Sequence, residues 1–258
     1  MIIDCHTHIY FEETYQEYLK ESAGMVSVVV CIQSSRYDLE HLIEFASTKK
    51  DFFIIAAFDA LKNPKRSLKQ LERCFKEEKI VGAKVCPGCQ KLPATDQTFS
   101  PLFTLCQKYK KPVIIHNGWS PDFAPLLKYF SLSDIDELAR KYPGCNIIVS
   151  GFGFPYFFES AFVAHKNKNV FLDISGNISD GENMALDRQI RQYTDDLRKL
   201  LTYYPGIENK ILFGTDFAGE NTPLSLVNPY IKVIDNLFDG EMKENAFGGL
   251  AKKLFFNR

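Results

Sequence analysis

Two imidazoles open the chain, His6 and His8 in the run Asp4-Cys5-His6-Thr7-His8. Side chains two positions apart on a strand share a face, so both rings can reach one ion. They follow the apolar run Ile2 to Cys5 and precede helical sequence, which sets them at a strand's C-terminal end. Two more strand-like runs finish the same way, Pro112-Val-Ile-Ile in His116 and Ile211-Leu-Phe-Gly-Thr in Asp216. Each is the first ligand-capable side chain after a buried run. Three imidazoles and a carboxylate suit Zn2+ or a similar borderline divalent ion. One such residue alone is more often a strand-end hydrogen-bonding group, so the inference rests on all four meeting.

The elements that must bring them together are legible along the chain. Short apolar runs rich in β-branched residues recur at Ile2 to Cys5, Met25 to Ile32, Phe52 to Phe58, Ile80 to Cys86, Pro112 to His116, Asn146 to Ser150, Asn169 to Ile174 and Lys210 to Thr215. They are too continuous for strands with one wet face and read as parallel strands buried on both. Segments with helical spacing lie between them, such as Leu39, Leu42, Ile43 and Ala46, or Leu68, Leu71 and Phe75. Strand and helix alternating over 258 residues predict one (β/α)8 TIM barrel domain spanning residues 1–258. An open doubly wound sheet is the competitor, but no glycine-rich phosphate loop follows the first strand. In a barrel the ends of strands one, five and eight face one mouth, so residues far apart in sequence converge there. The irregular stretches Pro87 to Gln97 and Gly176 to Asn183 would overhang that mouth.

Composition excludes several partners. Thirty-one Lys and Arg balance 32 Asp and Glu for a net charge of -1, which offers no broad attraction to nucleic acid or anionic lipid. The opening Met1 to Tyr10 is too polar for a signal peptide, and no apolar run reaches the ~18 residues of a membrane span. A cytoplasmic protein is expected. Cys5, Cys31, Cys74, Cys86, Cys89, Cys106 and Cys145 make an odd set without a scaffold pattern and read as reduced thiols.

Over nearly its whole length the sequence resembles the amidohydrolase superfamily, and more closely its branch of small metal-dependent hydrolases and decarboxylases (amidohydrolase 2-like). The resemblance is carried by Asp4-x-His6-x-His8 at the first strand, Pro112-Val-Ile-Ile-His116-Asn-Gly at the fifth and Leu212-Phe-Gly-Thr-Asp216 at the eighth. Gly82-Ala-Lys84-Val and Phe99-Ser-Pro-Leu-Phe match the fourth-strand region and the helix after it. It implies metal-site positions for His6, His8, His116 and Asp216, with Asp216 also managing protons of the bound water. Two departures stand out. The sixth strand ends in Ser150-Gly151 where relatives carry histidine and glycine, and a hydroxyl cannot replace imidazole as proton carrier or ligand. Cys86 stands where relatives often have histidine.

Lys84 could be carboxylated to bridge two ions, but without the sixth-strand histidine a second ion lacks ligands. An ammonium binding a substrate carboxylate is favoured, with a snorkelling lysine as the plain alternative. Cys86-Pro-Gly-Cys89 forms a Cys-x-x-Cys unit, read as a turn leaving a strand rather than a thioredoxin-like helix start. His41 reads as solvated, His165 as packed, and Trp119 as a pocket wall or simple packing. The expected enzyme is a mononuclear metal-dependent hydrolase with one divalent transition metal ion, Zn2+ by its donors. His6, His8, His116 and Asp216 would hold the ion, and Asp216 and Lys84 would act in catalysis. It would cleave an amide, lactone or ester of a small anionic substrate through a metal-activated water. Non-oxidative decarboxylation and a non-catalytic metal-binding barrel are the alternatives. The partner expected is a small-molecule substrate, without nucleic acid or membrane, and a homodimer is left open.

Overall fold

A computed structural model describes residues 1–34, 36–76, 79–117, 126–179, 184–218 and 227–256. Among them eight strands follow one another in chain order through one parallel sheet: β1 (Ile2–Thr7), β2 (Val26–Ile32), β3 (Phe52–Ala57), β4 (Ile80–Val85), β5 (Val113–Ile115), β6 (Ile147–Val149), β7 (Val170–Asp173) and β8 (Ile211–Leu212). The chain beyond β8 runs back along β1. Cys5 N donates to Phe213 O at 3.0 Å, Asp216 N to His6 O at 2.8 Å and His8 N to Phe217 O at 2.8 Å. These bonds bring the ends of the sheet together, and the fold is a (β/α)8 TIM barrel, as the alternating pattern predicts.

Helices α1 (Glu12–Glu21), α2 (Leu39–Ser47), α3 (Pro64–Cys74), α4 (Pro87–Gln90), α5 (Ser100–Tyr109), α6 (Leu132–Lys141), α7 (Phe157–Lys166), α8 (Leu186–Tyr203), α9 (Asn228–Leu237), α10 (Gly240–Glu244) and α11 (Leu250–Phe255) fill the connections. Their starts are written locally. The Asn63 side chain accepts from Arg66 N ahead of Pro64 at the head of α3, and Ser131 accepts from Asp134 N at α6.

Alternation along the strands divides the apolar residues between two cores. Outward residues such as Val29, Ile54, Val113, Ile147 and Ile211 pack under the helices. Inward residues such as Ile3, Val30, Ile55, Ile114, Ile148 and Leu212 fill the lumen together with Leu250, Leu254 and Phe255 of α11. The last helix therefore closes the floor, the end where the strands begin, and the mouth at the opposite end is left for chemistry. No helix among the described residues is long and apolar enough to cross a membrane.

Three readings need correction. The expectation of seven reduced cysteines fails for one pair, since Cys86 and Cys89 form a disulfide while the other five are buried free thiols. The same segment is not a plain turn: Pro87–Gln90 makes one helical turn with the Cys86 sulfur accepting from Cys89 N. Proline at the first position favours such a start. His165 is exposed rather than packed, with its Nδ1 3.2 Å from Pro205 O. His41 is exposed, as read, with its Nε2 3.3 Å from Tyr10 O. Trp119 and residues 180–183 of the loop after β7 lie outside the described residues.

Strands β5 and β8 are shorter than their apolar runs because their final residues leave the ladder to serve the mouth. At Gly82 on β4 the ladder tolerates no side chain, for a Cβ there would lie 2.7 Å from Ile55 Cδ1 and 2.8 Å from Pro112 O. Gly82→Ala should therefore cost about 1–3 kcal/mol by overpacking. Urea unfolding monitored by circular dichroism measures it, and an unchanged midpoint would mean that the β3–β4–β5 contact is slack.

Candidate metal centre

The site begins with a buried carboxylate that is not itself a ligand. Asp4, fully buried on β1, accepts from Thr215 Oγ1 at 2.7 Å, Tyr18 OH at 2.9 Å, Thr215 N at 3.1 Å and His6 N at 3.2 Å. Burial pushes it up to about 6 against the lowering effect of these donors, so it remains ionised at neutral pH. Its bonds fix Thr215 beside His6 and leave the next residue, Asp216, at the mouth. Asp216 takes a left-handed backbone with φ 60°, one that aspartate tolerates better than branched residues do. Gly176, at φ +70°, passes directly behind it, and a Cβ there would sit 3.3 Å from Asp216 Oδ2.

Hydrogen-bond accounting assigns a tautomer to His6 and to His8. Tyr10 has one hydroxyl proton, and it goes to Ile32 O at 2.7 Å. Its oxygen accepts from Ser34 N at 3.0 Å and, at 2.6 Å, faces His8 Nδ1. That nitrogen must carry the proton, which leaves His8 Nε2 with a bare lone pair. Around His6, the Ser175 hydroxyl gives its proton to Asp173 Oδ1. His6 Nδ1 lies 2.9 Å from Ser175 Oγ and 3.1 Å from Asp173 Oδ2. Both neighbours are acceptors, so Nδ1 is again the protonated nitrogen and Nε2 faces the mouth.

The two Nε2 atoms converge on one oxygen, Asp216 Oδ1, at 3.4 Å from His6 and 3.2 Å from His8. Such a cluster is relieved by a proton on one Nε2 or by a cation held among the three atoms. Ligands held tetrahedrally at zinc bond lengths of ~2.0–2.1 Å stand about 3.3–3.4 Å apart, close to the spacing here. The residues present therefore fit a divalent ion. Among the described residues, His6, His8 and Asp216 keep their ligand atoms within 4.8 Å of one another. His116 stands outside that group, although it is electrostatically coupled to all three.

Charge states follow from burial and neighbours. Burial lowers His8 to about 4 and His116 to about 3, with Lys84 adding to both. For His6 burial acts downward, but Asp173 and Asp216 outweigh it and raise the ring above its ordinary value. Burial likewise opposes ionisation of Asp216, yet His8, His6 and Lys84 hold it well below the usual carboxylate range. Lys84 is half-buried on β4, paired with Ile114 of the lumen core, and feels all four residues of the sequence-derived set.

A profile of the amidohydrolase family matches residues 3–256. The chain belongs to the amidohydrolase family. No curated protein sequence matches this amidohydrolase, but solved structures share its fold. A candidate 2-pyrone-4,6-dicarboxylic acid hydrolase from Pseudomonas putida aligns with TM-score 0.70 at 16% identity, covering 98% of this chain and 97% of the other. A 5-carboxyvanillate decarboxylase from Sphingomonas paucimobilis aligns with TM-score 0.66 at 13% identity, covering 93% and 82%. An amidohydrolase from Burkholderia multivorans with bound zinc gives 0.69 at 13% identity, covering 98% of each chain. Divalent metals serve the superfamily.

This amidohydrolase also depends on residues that the sequence reading passed over. Asp173 and Ser175 orient His6, and Tyr10 orients His8. Asp173 obeyed the rule that found His116, being the first ionisable residue after an apolar strand, whereas Tyr10 carries no such mark. The loop after β6 joins in, with Gly151 N donating to Asp173 Oδ1 at 3.2 Å.

If Asp173 fixes the His6 ring, Asp173→Asn should weaken metal binding about 10–100-fold, measured by competition with a chromophoric chelator. Unchanged affinity would leave Ser175 as the sole orienting group. In metal-free protein, His8 should titrate near pH 4 and His6 above the ordinary 6.5, followed by nitrogen-15 chemical shifts. The extra proton on His6 must go to Nε2, where it competes with the ion, so metal affinity should fall as pH drops through the His6 midpoint. Affinity independent of pH across that midpoint would contradict the assigned tautomer.

Proposed function

We propose that this amidohydrolase is a metal-dependent hydrolase that cleaves an amide, lactone or ester bond of a small anionic substrate. The observation that carries the reading is the convergence of the His6 and His8 Nε2 atoms on one Asp216 oxygen. His6, His8 and Asp216 would hold one divalent ion, Zn2+ by the chemistry of the donors, with His116 beside them. When bound, that ion supplies a Lewis acid that makes a water nucleophilic near neutral pH.

The chain's own groups divide the remaining work. Asp216, kept ionised by His8, His6 and Lys84, accepts the attacking water's proton. Its low basicity favours passing that proton to the leaving group over retaining it. Neutral His116 offers a hydrogen bond to the reacting group. Lys84, half-buried beside these residues, binds the substrate's anionic group by a charge-assisted hydrogen bond. The loops after β4 and β7 line the approach and select among substrates.

Decarboxylation is the second reading, and Ser150 favours it. At 5% exposure and at the exit of β6, it supplies no imidazole to protonate a leaving group. Carbon dioxide departs without a proton, and the bonding pair it leaves on the substrate carbon takes up one proton, which Asp216 would relay.

Elemental analysis should find about one transition-metal ion per chain. His6→Ala should lose most of it while remaining folded, and loss of soluble protein instead would give His6 a structural role. With a panel of lactones, amides, esters and aromatic carboxylic acids, hydrolysis is the expected turnover. Release of carbon dioxide would transfer the assignment to decarboxylation, and metal binding without turnover would make the protein a binding module. Lys84→Met should raise KM for the anionic substrate about 10–100-fold, the worth of one hydrogen bond to a charged group. An effect on kcat alone would remove Lys84 from substrate binding.

A further inference from the structure

Of the seven cysteines, Cys5, Cys31, Cys74, Cys106 and Cys145 are buried free thiols. The disulfide of Cys86 and Cys89 is different in kind. It spans three positions immediately after β4, so it closes a very short loop, and cross-link stabilisation grows with the loop closed. A scaffold role is therefore weakly served. Cys86 is 9% exposed, whereas Cys89 is part-exposed and is the more accessible residue of the pair.

The pair is wired to the mouth. Lys84 pairs in register with Ile114 of the lumen core, and Cys86 follows it two positions on, directly after the end of β4. The carbonyl between them, Val85 O, accepts from His116 N at 2.9 Å. Gln90, at the end of α4, donates to Phe58 O at 2.8 Å and accepts from Ala60 N at 3.0 Å. Phe58 in turn donates its N–H to Lys84 O at 2.9 Å. A helical turn as short as α4 has no stability of its own, so the cross-link, the Cys86 cap and Gln90 add to the burial of Pro87 and Gly88 in holding it.

We propose that Cys86 and Cys89 are a reversible thiol–disulfide site, reduced by a dithiol, whose reduction releases the α4 turn from the strand end that carries Lys84. A reagent thiolate attacks Cys89 Sγ, the bond between the two cysteine sulfurs breaks, and Cys86 Sγ leaves as a thiolate that takes up a proton. The second reagent thiol then attacks the mixed disulfide, freeing Cys89 and forming the reagent's own disulfide. Two electrons and two protons pass from the dithiol to the pair. On the reading that Lys84 grips the substrate's anionic group, the redox state of this pair tunes that grip.

The test treats the folded, metal-loaded full chain with dithiothreitol, alkylates it, and maps the modified cysteines by mass spectrometry, with hydrogen exchange followed in parallel. Expected are two new alkylation sites, Cys86 and Cys89, and amide exchange at residues 84–92 that rises several-fold and reverts on reoxidation. Cys89→Ser should show the faster exchange without reductant and ignore its addition. Thiols released only on unfolding would overturn the proposal, and so would release without faster exchange at 84–92, or a Cys89→Ser chain that exchanges like the oxidised protein. None of these readouts uses turnover, so a failed substrate screen would count against the hydrolase reading and leave this result standing.

Discussion

The buried carboxylate of Asp4 is the constraint on which the mouth depends. A charge taken fully out of water is costly unless donors replace the lost hydration. Asp4 has four, drawn from its own strand, from α1 through Tyr18 and from the end of β8 through Thr215. No apolar residue could make the same selection, because packing tolerates small slides that hydrogen bonds to two carboxylate oxygens do not. By fixing how far β8's end runs along β1, Asp4 decides that Asp216 meets the Nε2 atoms of His6 and His8.

Around the three converging groups lies a second set that gives them direction. Asp173 and Ser175 determine which nitrogen of His6 bears a proton, and Tyr10 does the same for His8. Those groups are held in turn, Tyr10 by Ile32 O, and Asp173 by backbone amides of Gly151 and Ser175. Asn177 links the loops after β6 and β7 by donating to Gly151 O at 2.9 Å and Ser175 O at 3.0 Å. The orientation of His6 is thus anchored in two loops far from it in sequence.

The barrel was legible because strands buried on both faces need continuous apolar runs, and each run marks its own end with the first polar side chain. Asp216 carries that mark, whereas His6 and His8 stood out by their two-residue spacing on one strand face. His116 carries it too, but how closely its ring approaches the others depends on strand register and side-chain direction, which residue spacing does not encode. Asp173 was passed over because an aspartate before Ile-Ser-Gly also looks like an ordinary turn former. Tyr10 was hidden for a deeper reason, since its role is a proton count among Ile32, Ser34 and His8 that exists only once β1 and β2 are side by side. The paired Cys86 and Cys89 were misread because an odd number of cysteines argues about the set and not about any two members.

The seam between β1 and the end of β8 joins residues 211 positions apart, as Thr215 Oγ1 bonds Asp4. Contacts of such separation form late, after the chain between them has been ordered. A ribosome-bound fragment lacking β8 would carry His6 and His8 but neither Asp216 nor the Thr215 donors that set the register. The nascent protein therefore lacks one of the three converging groups until residue 216 has been made.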